Sequence, residues 1–432
     1  MYKRVSVAIA ILVALSMLLA ACAPKVEPTQ PPAATQAPAT GPTKTFKLGV
    51  LGPFSGPAAR TGQEFRGAAE MAFEAIDYQI GDYKIELVWI DSQSDPAKAS
   101  QAYEQAVVQD KIQAGILNWH SSVSVACMDI AAKHKTPHFF GFGATELVNE
   151  KWKSDPEKYS YWFGKTWPMP AKLSSAYVIA LEDAIKAGTW TPAEKTAYIW
   201  GEDTDWGRSF GGAIKQQFID AGWKVVGEDY FVADQTEFYP LLNKIKDLNP
   251  AVIAGTSATP PAISSLIKQA DEVGLKSLII ADGLGWVGEW YSLTGDTSNY
   301  VLDQIPQFAS EAAKKWASDF QAKYGIEPSP SAAGQAYDMT NFCIKIAQRA
   351  VDEYGELSTD SLYQVGKNEL FAGKLVYTEG LIHARYEYNE SSVPDPVVGK
   401  GYFIFPVLQY TNGVGNIIWP DDWATAKLTP KP

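Results

Sequence analysis

The sequence predicts an α/β protein whose body consists of two doubly wound parallel-sheet lobes, and three observations predict it. From Phe46 onward, short runs of β-forming residues alternate with helical patterns across short loops. Near Thr196 the same plan starts again. Neither unit carries the G-x-G-x-x-G turn that holds a dinucleotide, so two tandem lobes fit better than one cofactor-binding domain.

The elements follow in order. "FKLGVL" reads as a strand, "GPFSGPAARTG" as a loop, and the next stretch as a helix with Ala69, Phe73 and Ile76 on its apolar face. "YKIELVWIDSQSD" is a strand, "PAKASQAYEQAVVQ" a helix opened by Pro96, and "IQAGILNW" a strand. "SSVSVACMDIAAKH" returns to helix and "TPHFFGFG" to strand. In the second unit, strand "TAYIW" precedes a Gly/Asp loop and a helix, then strand "KVVGEDYF", helix "YPLLNKIKDLN", strand "AVIAGTS", helix "PPAISSLIKQADEVG" and strand "SLIIADG". Two more helices lie around "EAAKKWASDFQAKYG" and "SAAGQAYDMTNFCIKIAQRAVDEYG", and β-rich sequence is expected from Lys374 onward. A cleft at the carboxyl ends of the strands is the expected place for a ligand.

Residues 1–21 read as a secretory signal: Lys3 and Arg4 precede the apolar "VSVAIAILVALSMLLA". That run is shorter than the ~20 residues a membrane-spanning helix needs. It ends in "LAAC", which resembles a bacterial lipobox and implies cleavage before Cys22 and lipidation of its sulfur. Residues 22–45, rich in Pro, Ala and Thr, read as an extended tether. The expected place is outside the cytoplasm, held to the bacterial membrane by lipid alone.

The chain has 432 residues and a formal charge of −12, which disfavours nucleic acid as a partner. Its 14 Trp and 21 Tyr exceed what a core needs and leave rings for a pocket. Beyond Cys22 only Cys127 and Cys343 remain, as buried free thiols or a disulfide. "GRSFG" (207–211) matches the G-x-S-x-G nucleophile pattern, but "GEDTDW" separates it from its strand, so Ser209 is placed in a helix. His134 and His138 lack a helix or further ligands to share, so no metal and no cofactor are expected. The chain is not expected to be an enzyme.

Several stretches, in register, resemble the periplasmic leucine/isoleucine/valine-binding proteins. "KLGVLGPFSGPAARTGQEFRGAAEMA" is similar to their opening strand, G-P-x-S-G loop and helix, and "ELVWIDSQSDPAKA" to their strand-D-x-x-x-D-P segment. "NWHSSVSVA", "FGATEL" and "IIADG" fall where that family has a serine cluster, an A-x-T-like loop and an acidic residue. The resemblance implies the type I periplasmic-binding fold, with a ligand cleft between lobes joined by three crossover strands near Thr166, Gln304 and Tyr388. Residues 46–165 and 305–388 would form the N-terminal lobe, and 166–304 with 389–432 the C-terminal lobe. It also implies the substrate-binding lipoprotein of an ABC importer, a monomer serving membrane permease subunits and taking a branched-chain, aromatic or related amino acid.

On that reading Ser121 caps a helix whose free N–H groups, with Ser122 beside it, meet the ligand's carboxylate. Thr145 would bind the same group, the Gly143 carbonyl an ammonium proton, and Asp282 would supply the counter-charge. Trp119, Trp206 and Trp286 are expected to line the cleft. Thr61 stands where the family has a tyrosine, and Arg60 either faces solvent or pairs a second carboxylate. His120, next to Ser121 on a strand, is expected to face away. Two other readings are a sugar-binding protein of the same fold, given the tryptophans, and a ligand-sensing module for a separate receptor.

Overall fold

The computed structural model describes residues 42–432. The expected signal segment, Cys22 and most of the tether lie outside these residues. Among the described residues no helix is long and apolar enough to cross a membrane.

The first sheet has six strands in the order β2–β3–β1–β4–β5–β6. They are β1 (Lys44–Gly52), β2 (Gln79–Ile80), β3 (Tyr83–Asp91), β4 (Ala114–Ile116), β5 (His138–Gly141) and β6 (Trp162–Lys165). All neighbours are parallel except the short β2, which folds back on β3. The second sheet has seven strands: β7 (Thr196–Glu202), β8 (Lys224–Phe231), β9 (Val252–Thr256), β10 (Leu278–Asp282), β11 (Leu302–Gln304), β12 (Val407–Thr411) and β13 (Val414–Trp419). Their order is β13–β12–β11–β10–β9–β7–β8, parallel from β8 to β11 with an antiparallel pair at the far edge. Strands β9 and β10 are buried at every position, as sheets covered by helices on both faces require. This is the expected doubly wound architecture in two lobes.

The β-rich ending expected from Lys374 begins only at Val407. Between them the chain is irregular, with isolated bridges Tyr377–Tyr386 and Val398–Phe403. Pro394, Pro396 and Pro406 lack the N–H that a ladder needs. Sequence periodicity also passed over the helices Glu146–Ser154, Ser175–Ala187 and Thr359–Val365. Cys127 and Cys343 are both free and buried.

The return passage expected at Tyr388 is a longer stretch that reaches β12 at Val407. It runs beside the first passage: the Tyr388 hydroxyl donates to the Lys165 carbonyl at 2.7 Å. Lys165 Nζ and Asp395 Oδ1 pair at 2.9 Å with both side chains fully buried, and Lys172 pairs with Asp395 at 3.0 Å. Burial opposes ionisation of Asp395, but the two lysines together with a hydrogen bond from the Asn149 amide outweigh it and hold its carboxyl below the usual range. Burial also lowers the Lys165 pKa, against the pull of Asp395.

Candidate functional site: a tryptophan-lined cleft

A cavity of about 320 Å³ lies where the two sheets face each other. Its walls come from the loops after the carboxyl ends of β1, β3, β4 and β5 on one side and of β7, β8, β9 and β10 on the other. Trp167, just beyond β6 on the first passage, closes the back. Helix Ser121–His134 and helix Asp205–Asp220 both aim their N-termini toward this region because each follows a parallel strand. Tight approaches fix those termini. A Cβ on Gly143 would lie 2.1 Å from Ser124 Oγ, and one on Gly207 would lie 2.0 Å from the Glu202 carbonyl.

The loop between β4 and its helix departs from the sequence reading. β4 ends at Ile116, and Leu117 adopts a left-handed φ of 62°. Side-chain alternation therefore stops before His120. His120, and not Ser121, is the N-cap residue, and it makes no side-chain cap hydrogen bond. Asn118 fastens the turn instead: its amide donates to the His120 carbonyl at 2.9 Å, and its Oδ1 accepts from Ser124 Oγ at 3.1 Å. His120 thus lines the cavity beside Ser121 and Ser122. Its Nδ1 is buried without a partner, and burial lowers its pKa to about 4, so the imidazole is neutral at pH 7. The Ser121 hydroxyl accepts from the Thr145 N–H at 3.2 Å.

Four tryptophans form the interior. Trp119, Trp206 and Trp286 are there as expected; Trp167 and Phe142 were not anticipated. Trp119 and Trp286 meet edge to face at 5.4 Å and 90°, and Trp167 meets Trp286 at 4.9 Å and 84°. The Trp206 N–H donates to Thr256 Oγ1 at 2.8 Å and the Trp167 N–H to Gln335 Oε1 at 2.6 Å. The Trp286 N–H, on a side chain only 4% exposed, has no partner.

Glu202, the last residue of β7, also lines the cavity and was missed by sequence reasoning. It is 1% exposed. Its carboxylate accepts from Thr204 Oγ1 at 2.9 Å, Ser257 Oγ at 3.0 Å and the Ala258 N–H at 2.8 Å. Burial raises its pKa, and those hydrogen bonds oppose the rise.

Asp282 is not brought to the cavity. Its carboxylate accepts from the Tyr177 hydroxyl at 2.7 Å inside the second lobe, next to Asp303. Asp303 in turn holds the turn that follows β10, accepting from the N–H groups of Gly283 at 3.0 Å and Gly285 at 2.6 Å. Burial first, then the Asp303 charge, push the Asp282 carboxyl well above its ordinary value.

Thr145 caps helix Glu146–Ser154 by accepting from the Leu147 N–H at 3.3 Å, and Gly143 packs behind Ser121; neither lines the cavity. Thr61 is buried within helix Ala59–Glu74, away from it. Arg60 also lies apart, pairing with buried Glu64 at 2.9 Å and, across to the second lobe, with Glu289 at 3.2 Å. Ser209 sits in helix Asp205–Asp220 as expected, its hydroxyl accepting from the Glu146 N–H at 3.2 Å.

The periplasmic binding protein family model matches residues 45–380. The chain belongs to that family. Among relatives, a Leu/Ile/Val-binding protein homolog 6 from Brucella suis is 25% identical over 232 residues, 54% of this chain and 55% of that protein. The match thus spans about half the length of that relative. Among solved structures, the leucine-binding protein of Thermotoga maritima superposes with a TM-score of 0.69 at 20% identity, covering 87% of this chain and 99% of that one. A solute-binding protein of an ABC transporter from Rhodopseudomonas palustris, in complex with 4-hydroxybenzoate, gives 0.70 at 19% identity, covering 90% and 98%. At these identities the structural likeness concerns the fold.

Proposed function

We propose that this periplasmic binding protein captures a small carboxylate-bearing solute, an amino acid or amino-acid analogue, and delivers it to the permease of an ABC importer. One observation carries the reading: a single cavity takes walls from both sheets, with hydrogen-bond donors on the first and a buried carboxylate on the second. The free N–H groups of Ser121 and Ser122, with His120 beside them, suit a carboxylate. Because each lobe holds part of the ligand, binding favours the closed arrangement, which the permease would recognise. The names of the Brucella and Thermotoga proteins support an amino-acid ligand.

The lipobox-like "LAAC" supports a lipid anchor at Cys22 outside the cytoplasm. Cys22→Ser should release the protein from washed membranes; retention there would refute the anchor. The tryptophan-rich wall favours a second reading, an aromatic acid, as in the Rhodopseudomonas complex. Native mass spectrometry of the purified full chain, followed by a thermal-shift screen of amino acids, aromatic acids and sugars, decides between them. A sugar as the sole stabilising class would overturn the carboxylate reading.

A further inference from the structure

The charge inside the cavity is one-sided. Glu202 is a buried carboxylate on the wall, yet among the described residues no Lys, Arg or His forms an ion pair with it. Lys98, the cation that also lines the cavity, is exposed at its rim, and His120 is neutral. A buried carboxylate without a cation is costly even when hydrogen-bonded. Thr204, Ser257 and Ala258 satisfy three of its roughly four acceptor positions but supply no positive charge.

What surrounds Glu202 narrows the kind of cation. Trp167 and Trp206 direct their N–H groups to Gln335 and Thr256, neither of which lines the cavity, so they present ring carbon to it. Trp119 and Trp167 each stand nearly perpendicular to Trp286, so the rings form walls in different planes. Phe142, Pro57, Ala144 and Ala258 add further apolar surface. A primary ammonium needs acceptors for three N–H groups, which ring carbon does not supply. A fully alkylated ammonium donates no hydrogen bond and is attracted to aromatic faces while desolvated.

Resting on the capture reading, we infer that the solute is a quaternary ammonium carboxylate. Its alkylated cationic head packs against the cavity-facing surface of the tryptophan cluster beside Glu202, and its carboxylate meets the Ser121–Ser122 terminus. Glu202, not Asp282, is the counter-charge.

The test is calorimetry on the full chain with four probes: trimethylglycine, its carbon isostere tert-butylacetate (3,3-dimethylbutanoate, which keeps the carboxylate but has an uncharged head), leucine and 4-hydroxybenzoate. Wild type should bind trimethylglycine at least about 30-fold more tightly than the isostere, the scale of a desolvated cation–π contact. In Glu202→Gln that ratio should fall at least about threefold, the part that the rings supply remaining; an unchanged ratio would show that Glu202 is not the counter-charge. The wild-type ratio needs no variant, so a poorly folded Glu202→Gln would not blunt the test. Equal binding of the isosteric pair, or tighter binding of leucine or 4-hydroxybenzoate than of trimethylglycine, would overturn this inference and leave solute capture standing. Absence of binding by all four, with no co-purified solute in the mass spectrum, would overturn both.

Discussion

On the first-sheet side, the inner wall of the cavity is uncharged and donating: the helix N-terminus at Ser121 and Ser122, with the neutral His120 beside it, while Asp95 and Lys98 line it from the helix after β3. On the second-sheet side it holds Glu202 together with Trp206 and Trp286. Both walls arise the same way, from loops after parallel strands, so the fold fixes where they stand but not what they carry. Their difference in charge gives a bound solute a direction. In the inferred binding mode an anionic end would meet the first lobe and a cationic end the second, so that a molecule with both ends would span the cleft.

The comparison presumes that the two walls are held in register, and the largest expected effect tests this. Lys165→Met removes one partner of a fully buried ion pair and leaves the buried Asp395 with the partly exposed Lys172 as its cation, beside hydrogen bonds from the Asn149 amide and the Met169 N–H. Stranding a buried charge costs about 3–5 kcal/mol, so thermal or urea unfolding should show a loss of that order. Glu289→Gln breaks the bridge to Arg60 at the cleft rim, where Glu289 is about one-third exposed, and should cost under about 1 kcal/mol. Equal losses would show that the rim, and not the passage between lobes, sets the relation of the walls.

Much of the first wall was legible in the sequence because its residues are contiguous. Trp119, Ser121 and Ser122 come from one strand-to-helix junction, and a serine run opening an apolar helix marks such a place. The left-handed turn at Leu117 was not legible, and it reversed the assignment of His120. The second wall was harder. Glu202 and Asp282 are both strand-final acids, on β7 and β10, which flank β9 on either side. Sequence gives them equal standing, since a shift of one residue exchanges the faces of a strand. What separates them is tertiary: Glu202 meets Ser257 and Ala258 at the end of β9, while Asp282 meets Tyr177 from helix Ser175–Ala187, an element the periodicity did not reveal. Trp167 escaped notice for a similar reason, lying on a passage between lobes where no strand or helix pattern points to a ligand.

A smaller effect separates the chemistry of the two walls. Ser121→Ala removes a hydroxyl at the carboxylate end and leaves the Thr145 N–H without its partner. Losing one hydrogen bond to a charged group costs about 1.5–3 kcal/mol, so affinity should fall about 10-fold or more. Trimethylglycine and tert-butylacetate share the carboxylate, so the loss should be the same for both in calorimetry. A loss confined to trimethylglycine would place its cationic end at Ser121 and reverse the direction assigned to the cleft.

The smallest expected change in binding comes from Asp282→Asn. The amide keeps an oxygen for the Tyr177 hydroxyl, and the side chain lies outside the cavity, so trimethylglycine affinity should stay within about twofold of wild type. Stability should respond instead. The folded-state pKa of Asp282 lies well above 3.8, raised by burial and by Asp303. Between these values the unfolded chain has released a proton that the folded chain retains, so this group lowers stability as pH rises above about 3.8. Asparagine has no such proton. The difference in melting temperature, variant minus wild type, should therefore increase from pH 4 toward neutrality. A flat difference would mean that the Asp282–Asp303 pair does not hold its proton. A large loss of trimethylglycine affinity at unchanged stability would restore Asp282 as the counter-charge and displace Glu202.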